Sequence, residues 1–331
     1  MNLRALPKIE FHRHLDGSVR YQTIVDLGRH NRIDLGDAWS LRKRVTVTKP
    51  FETLQEVLNC FWTTQKVLCN YEAIRRVAFE NVEDCFRDGV VLAELRFAPL
   101  FIMKDKTLGF DEVFEGVIDG IREGMDKYPV QVGLIHILPR ALDRERDAAS
   151  TEECLRYARK CDRLVGFDLA DPEPDDSFVT YGPLVARASA AGLGITVHSG
   201  EDTSPGHMWK SLETYQPRRI GHGIQAVHDP ELMRALKERD VFLEVCPTSN
   251  WLTGQVPTTA SHPFPKLLAA GVCLTLNSDD PQLMGIDLVR EYEIAHNEWG
   301  MSAEALVKLN RDALRASFLP EDIRRHVAAR L

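Results

Sequence analysis

Two histidines spaced i, i+2 stand near the start of the chain, in Lys8–Ile9–Glu10–Phe11–His12–Arg13–His14–Leu15–Asp16–Gly17. Alternate side chains of an extended strand share one face, so His12 and His14 can point together at one metal ion. Imidazole pairs of this kind commonly begin a hydrolytic zinc site. An H-x-H also arises by chance on surfaces, so its meaning depends on complementary residues further along. They are present. Thr196–Val197–His198–Ser199–Gly200–Glu201–Asp202, Ile220–Gly221–His222–Gly223 and Leu276–Asn277–Ser278–Asp279–Asp280–Pro281 each close a short apolar run with polar groups. Three histidines and a carboxylate suit divalent zinc, and open coordination space would hold a water whose pKa zinc lowers from about 16 to about 7. Singly, each motif has a plainer explanation: a hydrogen-bonded core histidine for His222, a helix cap and turn for Asp279–Asp280–Pro281, a solvated loop for Glu201–Asp202. Complementary groups on four strand ends of one fold are better explained by a shared site.

The elements that must position them are legible as short apolar runs ending in turn residues. Strands are expected at Lys8–His12, Val90–Phe97, Gln131–Leu138, Leu164–Leu169, Gly194–His198, Arg219–His222, Val241–Val245 and Val272–Asn277. Stretches of helical spacing separate most of them, so the pattern predicts an α/β fold, a single (β/α)8 TIM barrel, whose strand C-termini converge on one mouth. An open doubly wound sheet competes, but no G-x-G-x-x-G follows any of these strands. The link from the first strand to the second is the longest, a helical insertion with a stripe at Leu54, Val57, Leu58, Phe61 and Trp62. A second stripe, Ile74, Val77, Ala78 and Cys85, precedes Gly89. Packing on the barrel accounts for both stripes, and a lid over the mouth is compatible with the first. Extra C-terminal helices follow from about Asp287, with Leu306, Leu309 and Ala313 on one face after Ser302, a fitting N-cap. With no linker in sight, residues 1–331 are expected to form one domain.

A length of 331 residues, 44% hydrophobic and 27% charged, describes a globular enzyme able to bury a large core. Net charge −8 argues against a nucleic-acid or anionic-membrane surface. No apolar run approaches a membrane span, and Met1 to Pro7 lacks a secretory apolar region. The seven cysteines contain no C-x-x-C pair; buried free thiols in a reducing, cytoplasmic compartment are the expectation.

Taken together, Pro7–Gly17, His198–Ser199–Gly200–Glu201, Arg219–Ile220–Gly221–His222–Gly223, Glu244–Val245–Cys246–Pro247 and Ser278–Asp279–Asp280–Pro281 make the chain resemble the adenosine deaminase family of metal-dependent amidohydrolases over nearly its full length. The resemblance implies one zinc ion per chain on His12, His14, His198 and Asp279. It implies Glu201 as proton donor to the purine, and His222 as the residue that orients and electrostatically assists the hydroxide. Asp279 would accept a proton from water through its second oxygen, Asp280 would bond ring nitrogen N7, and Asp16 would receive a ribose hydroxyl. The implied reaction is hydrolytic deamination of a 6-aminopurine nucleoside, adenosine or a close analogue, by attack of zinc-activated hydroxide at C6. Glu201 must then be protonated before attack, which partial burial can arrange by raising its pKa. Zinc deaminases that flip bases use H-x-E with P-C-x-x-C; Cys246–Pro247 is reversed and lacks the second cysteine, so no polynucleotide substrate is expected.

One position departs from the family pattern. A glycine commonly follows the Asp-Leu-Ala that ends the fourth strand, and its backbone N–H contacts purine N3. Here Asp168–Leu169–Ala170 leads into Asp171–Pro172. Asp171 keeps the N–H, while its side chain either reshapes the pocket or turns to solvent. Arg140, in Pro139–Arg146, is expected on an exposed helix start, with contact to an anionic 5′ substituent as its other reading. Phe61 and Trp62 could cover an apolar 5′ group or serve as lid packing. Adenine, methylthioadenosine and aminodeoxyfutalosine are the alternative substrates. Another amidohydrolase bridging two metals through a modified lysine is the competing enzyme, though no lysine ends the fourth or fifth strand; a purine-binding protein without catalysis is the non-enzymatic alternative.

Overall fold

Alternation of buried apolar strands with amphipathic helices produces the expected barrel. The computed structural model describes residues 2–51, 54–140, 144–173 and 177–331. Eight parallel strands run in sequential order: β1 (Lys8–His14), β2 (Val90–Phe97), β3 (Gln131–Pro139), β4 (Leu164–Ala170), β5 (Gly194–Ser199), β6 (Arg219–His222), β7 (Phe242–Val245) and β8 (Cys273–Leu276). Both faces of such strands are covered, which is why they read as near-continuous apolar runs. β1 extends to His14, two residues beyond the expected end, so both histidines lie inside the strand. β8 is one residue shorter than expected at each end; Asn277, just past it, still donates its backbone N to Val245 O at 2.9 Å, while its side chain reaches across to β1.

That side chain helps close the barrel. Phe11 N donates to Asn277 Oδ1 at 2.9 Å, and the Glu10 carboxylate accepts from Ser278 N and Oγ at 3.1 and 2.8 Å. Backbone bonds Asp279 N to His12 O (2.9 Å) and His14 N to Asp279 O (2.8 Å) finish the seam. The seam therefore locks Asp279 beside His12 and His14 before any metal is considered.

The barrel interior is charged, an outcome the apolar strand pattern conceals. Glu94, Arg96, Asp168, Arg219 and Glu244 are all fully buried. Arg96 binds Asp168 (2.7 Å) and Glu244 (2.6 Å), while Arg219 binds Glu244 and Glu94 (both 2.6 Å). Arg219 also lies between the rings of Phe11 (4.4 Å) and Phe318 (3.6 Å) at the barrel floor. Isolated charges would be prohibitive there; paired and hydrogen-bonded ones are tolerated.

The insertion after β1 contains helices Tyr21–His30, Ala38–Val45, Leu54–Gln65 and Tyr71–Arg87. Leu54, Val57 and Leu58 lie outside the described side chains. Ile74, Val77, Ala78 and Cys85 are buried in the last of these helices, as their spacing predicts. At the other end, Ser302 caps helix Ala303–Ala313 by accepting from Ala305 N at 3.2 Å, and Leu306, Leu309 and Ala313 are buried. Asn310 of this helix accepts from Ile9 N at 2.8 Å, satisfying a donor of the first strand. None of the seven cysteines forms a disulfide among the described residues, and five of them are buried. No helix among the described residues is long and apolar enough to cross a membrane.

Candidate active site

The strand C-termini enclose a cavity of about 640 Å³ whose wall includes His14, Asp16, Asp171, His198, Glu201, His222, Asp279 and Asp280. His12 lies just beneath, fully buried. Every site residue expected from the sequence is thus at one place. Its rings are close: centroids of His12 lie 5.3, 4.6 and 4.8 Å from those of His14, His198 and His222. Gly221 permits this approach, because a Cβ there would stand 2.9 Å from His12 Cε1.

Backbone conformation aims several of these groups. Asp171, His222 and Asp279, at the ends of β4, β6 and β8, have φ of 70°, 59° and 60°. Non-glycine residues seldom adopt this left-handed region, at a cost of roughly 1–3 kcal/mol each. Strand continuation would point these side chains elsewhere, so the surrounding packing enforces the strain.

The donor chemistry fits a divalent metal. His12 Nδ1 bonds Glu244 Oε2 at 2.9 Å and His198 Nδ1 bonds Asp168 Oδ1 at 3.2 Å. A carboxylate at Nδ1 holds the proton there and leaves an Nε2 lone pair for metal. Among the described residues His12 Nε2 is buried with no hydrogen-bond partner, the mark of a ligand atom. Asp279 Oδ1 lies 3.3 Å from both His12 Nε2 and His14 Nε2, and these three residues can hold one ion. His12, His198 and His222 form another possible cluster.

Asp279 divides its oxygens. Oδ1 joins the histidine nitrogens, whereas Oδ2 turns toward His222 Nε2 at 3.8 Å. Glu201 Oε2 is 3.5 Å from the same nitrogen, and Thr253 Oγ1 donates to Glu201 Oε1 at 3.2 Å. Burial, reinforced by the fields of Asp279, Asp202 and Glu173, pushes the Glu201 carboxyl up to about 8. It is therefore an acid at neutral pH. Burial would raise Asp168 and Glu244 too, but His198 and Arg96 hold the first below the usual carboxylate range, and Arg96 and Arg219 hold the second far below it.

Three carboxyl oxygens of cavity-lining residues are buried and unbonded among the described residues: Asp16 Oδ1, Asp171 Oδ2 and Asp280 Oδ1. Gln65, from the insertion, donates to the other Asp16 oxygen at 2.5 Å. Asp171 turns inward to the cavity rather than to solvent. Burial raises its carboxyl to about 7, opposed by Arg140 and aided by Asp16. Asp280 packs so tightly on the turn after β1 that a Cβ on Gly17 would fall 1.6 Å from its Oδ1.

The reading of Arg140 as exposed needs correction. It is buried, 7% exposed, and its Nη2 clamps Asp171 O (2.8 Å) and His198 O (3.0 Å). Two strand-end carbonyls needed a donor, and Arg140 reaches them instead of solvent; residues 141–143 of that run lie outside the described residues. Phe61 and Trp62 do line the cavity, with Trp62 edge-on to Phe101 at 5.4 Å and Lys104 Nζ 3.7 Å above its ring. Sequence reasoning gave no role to Asp168 and Glu244, which it met only within motifs, and none to Arg96, Asn250 and His262. Charged residues in the middle of apolar strands were the available signal for the first three; Asn250 and His262 carried none.

Comparison with known proteins agrees with this geometry. The family model described as "Adenosine deaminase" matches residues 7–331. Adenosine deaminase from Shewanella denitrificans is 37% identical over 336 aligned positions, covering 98% of each chain. Adenine deaminase from Arthrobacter aurescens, 25% identical, superposes with a TM-score of 0.88 over 98% of both chains. A zinc-bound amidohydrolase from Burkholderia ambifaria, 22% identical, shares the fold with a TM-score of 0.88, covering 99% of this chain and 90% of that one. With its motifs on the expected strand ends and its full length matched, this chain belongs to the adenosine deaminase family and is a hydrolytic deaminase.

Proposed function

We propose that residues 1–331 act as one catalytic unit that replaces the 6-amino group of a purine nucleoside, adenosine or a close analogue, by oxygen. One observation carries this reading: a His/Asp donor set and a carboxyl raised to about 8 share one cavity. His12, His14, His198 and Asp279 would hold a single zinc ion, whose Lewis acidity activates the attacking water. The zinc-bound neighbour of the same fold supports that choice of metal.

The chain's own groups then handle the protons. Glu201 gives its proton to purine N1 as water oxygen adds to C6, which relieves the charge that would otherwise build on the ring. Asp279 Oδ2, turned away from the His12 and His14 nitrogens, takes a proton from the attacking water. Returned to the 6-amino nitrogen, that proton lets ammonia depart, while the proton left on the C6 oxygen passes to Glu201, restoring its acid form and leaving the 6-oxopurine. Asp280 faces N7. His222 steadies the attacking oxygen.

A nucleoside fits better than a free base because Asp16 Oδ1 and Asp171 Oδ2 await donors and a base brings no sugar hydroxyl. A site with buried acceptors rejects an analogue lacking the matching hydroxyl strongly, since those acceptors are then left unpaired. The backbone N–H of Asp171 serves purine N3. Cysteines without disulfide bonds among the described residues support a reducing, cytoplasmic setting. To test the reading, metal-replete enzyme is offered adenosine, deoxyadenosine, methylthioadenosine, aminodeoxyfutalosine and adenine, following ammonia and the purine ultraviolet spectrum. Turnover of a nucleoside is expected. Turnover of adenine alone would overturn the nucleoside assignment, and silence on all five would overturn the purine.

A further inference from the structure

A line of hydrogen bonds leads from a backbone amide through two side chains that the chemistry above does not use. Phe264 N donates to His262 Nδ1 at 3.0 Å. His262 Nε2 lies 3.2 Å from Asn250 Oδ1, and Asn250 Nδ2 lies 3.1 Å from His222 Nδ1. His262, Asn250 and His222 are 3%, 0% and 2% exposed, so water offers no substitute partners.

The backbone amide gives the line a direction. An amide N–H can only donate, so His262 Nδ1 must be an acceptor. The His262 ring proton then sits on Nε2 and donates to Asn250 Oδ1. That engages the oxygen of the Asn250 amide and turns its NH2 toward His222. His222 Nδ1 must therefore offer a lone pair, which places the ring proton on Nε2. This atom faces the cavity, 3.5 Å from Glu201 Oε2 and 3.8 Å from Asp279 Oδ2. Reversal of any link would set two donors or two acceptors against each other at a buried site, and the amide at the far end cannot reverse.

We infer that His262 and Asn250 are positioning residues that lock His222 in its Nε2–H form, making it a hydrogen-bond donor to the attacking oxygen and neither a base nor a metal ligand. The contrast with its neighbours is chemical. His12 and His198 meet a carboxylate at Nδ1, keep that proton, and present an Nε2 lone pair. His222 meets an amide NH2 at the same position and presents the opposite form. Three rings close enough to share one ion are thereby sorted into two ligands and one donor. A donor held in advance at the position where charge develops needs no reorganisation during attack.

The inference rests on the deaminase reading for its catalytic consequence, but its structural half is testable without turnover. In protein labelled with 15N-histidine, His222 and His262 should each show a protonated Nε2 and an unprotonated Nδ1. A protonated Nδ1 on His222 overturns the proposal. Asn250→Asp replaces the NH2 by a second acceptor and should move the His222 proton to Nδ1, with kcat falling about 100-fold, at the lower end of the 10²–10³ that one preorganised donor supplies. His262→Leu should lower kcat by releasing the Asn250 amide. His262→Gln should restore part of it, because a glutamine NH2 can still donate to Asn250 Oδ1. An unchanged kcat in Asn250→Asp, or a glutamine variant no better than leucine, overturns it. If Asn250→Asp does not fold, the wild-type spectrum and the His262 pair decide. Absence of turnover on every 6-aminopurine would instead sink the deaminase reading and leave the spectrum to judge the proton positions.

Discussion

Two groups of buried charges occupy the same barrel and are treated oppositely. Inside, every carboxylate oxygen of Glu94, Asp168 and Glu244 is bonded: to Ser317 and Arg219, to Arg96 and His198, and to Thr196, Arg219, His12 and Arg96. At the mouth, Asp16, Asp171 and Asp280 each keep an oxygen unbonded among the described residues, and strained backbone aims Asp171, His222 and Asp279. The inner set gives each of its carboxylate oxygens a partner and so builds the platform, with only Arg96 Nε and Arg219 Nη2 of its guanidiniums unbonded among the described residues. The outer set leaves desolvation and strain unrelieved, and a ligand that completes it is bound selectively.

The largest break in this contrast comes from Glu201 at the mouth. Glu201→Gln should lower kcat about 10³-fold, within the roughly 10²–10⁴ of general acid catalysis, while substrate binding measured by calorimetry persists. Unchanged turnover would remove Glu201 from the acid role. Its titration offers a second view: the acid form dominates below about 8 and is lost above it, so kcat/KM should fall as pH rises through that value. A profile still flat near pH 9 would place the acid elsewhere.

Glu244→Gln attacks the inner set and leaves Arg96 and Arg219 without their shared counter-charge. Breaking a buried ion pair on one side costs about 3–5 kcal/mol, so denaturant unfolding should show a loss of at least about 3 kcal/mol. A loss under about 1 kcal/mol would mean the network is relaxed by water. Asp168→Asn touches both sets, since it changes the partner of His198 Nδ1. Metal affinity, read by competition with a chelator, should drop about 10–100-fold; an unaltered affinity would separate His198 orientation from Asp168.

The smallest effect has the opposite sign. Asp171→Asn keeps a residue that tolerates left-handed backbone and removes a carboxyl whose oxygen has no partner among the described residues. The free enzyme should gain about 1 kcal/mol and discriminate less between adenosine and sugar-deoxygenated analogues. A destabilised variant with full discrimination would move Asp171 from the substrate-facing set to the structural one.

Much of this was legible in residue order alone. Apolar runs of strand length, repeated eight times with helical spacing between them, define a barrel because local periodicity reflects burial. His12, His14, His198, Glu201, His222, Asp279 and Asp280 were readable because parallel strands bring all their C-termini to one end, so sequence position at a strand end becomes spatial proximity. What residue order could not express is the partner of each polar atom. Arg140 read as an exposed helix start, yet it holds two carbonyls from β4 and β5. Glu244 read as part of a motif without a role, yet it sets the proton of His12, a residue 232 positions away. Which ring nitrogen of His12, His198 or His222 carries the proton is likewise decided by a carboxylate or an amide from another strand or loop. Residue types and their spacing determined which groups could meet at the mouth; only the tertiary structure assigned them donor, acceptor or ligand, because hydrogen-bond direction depends on which buried partner the fold places beside each atom.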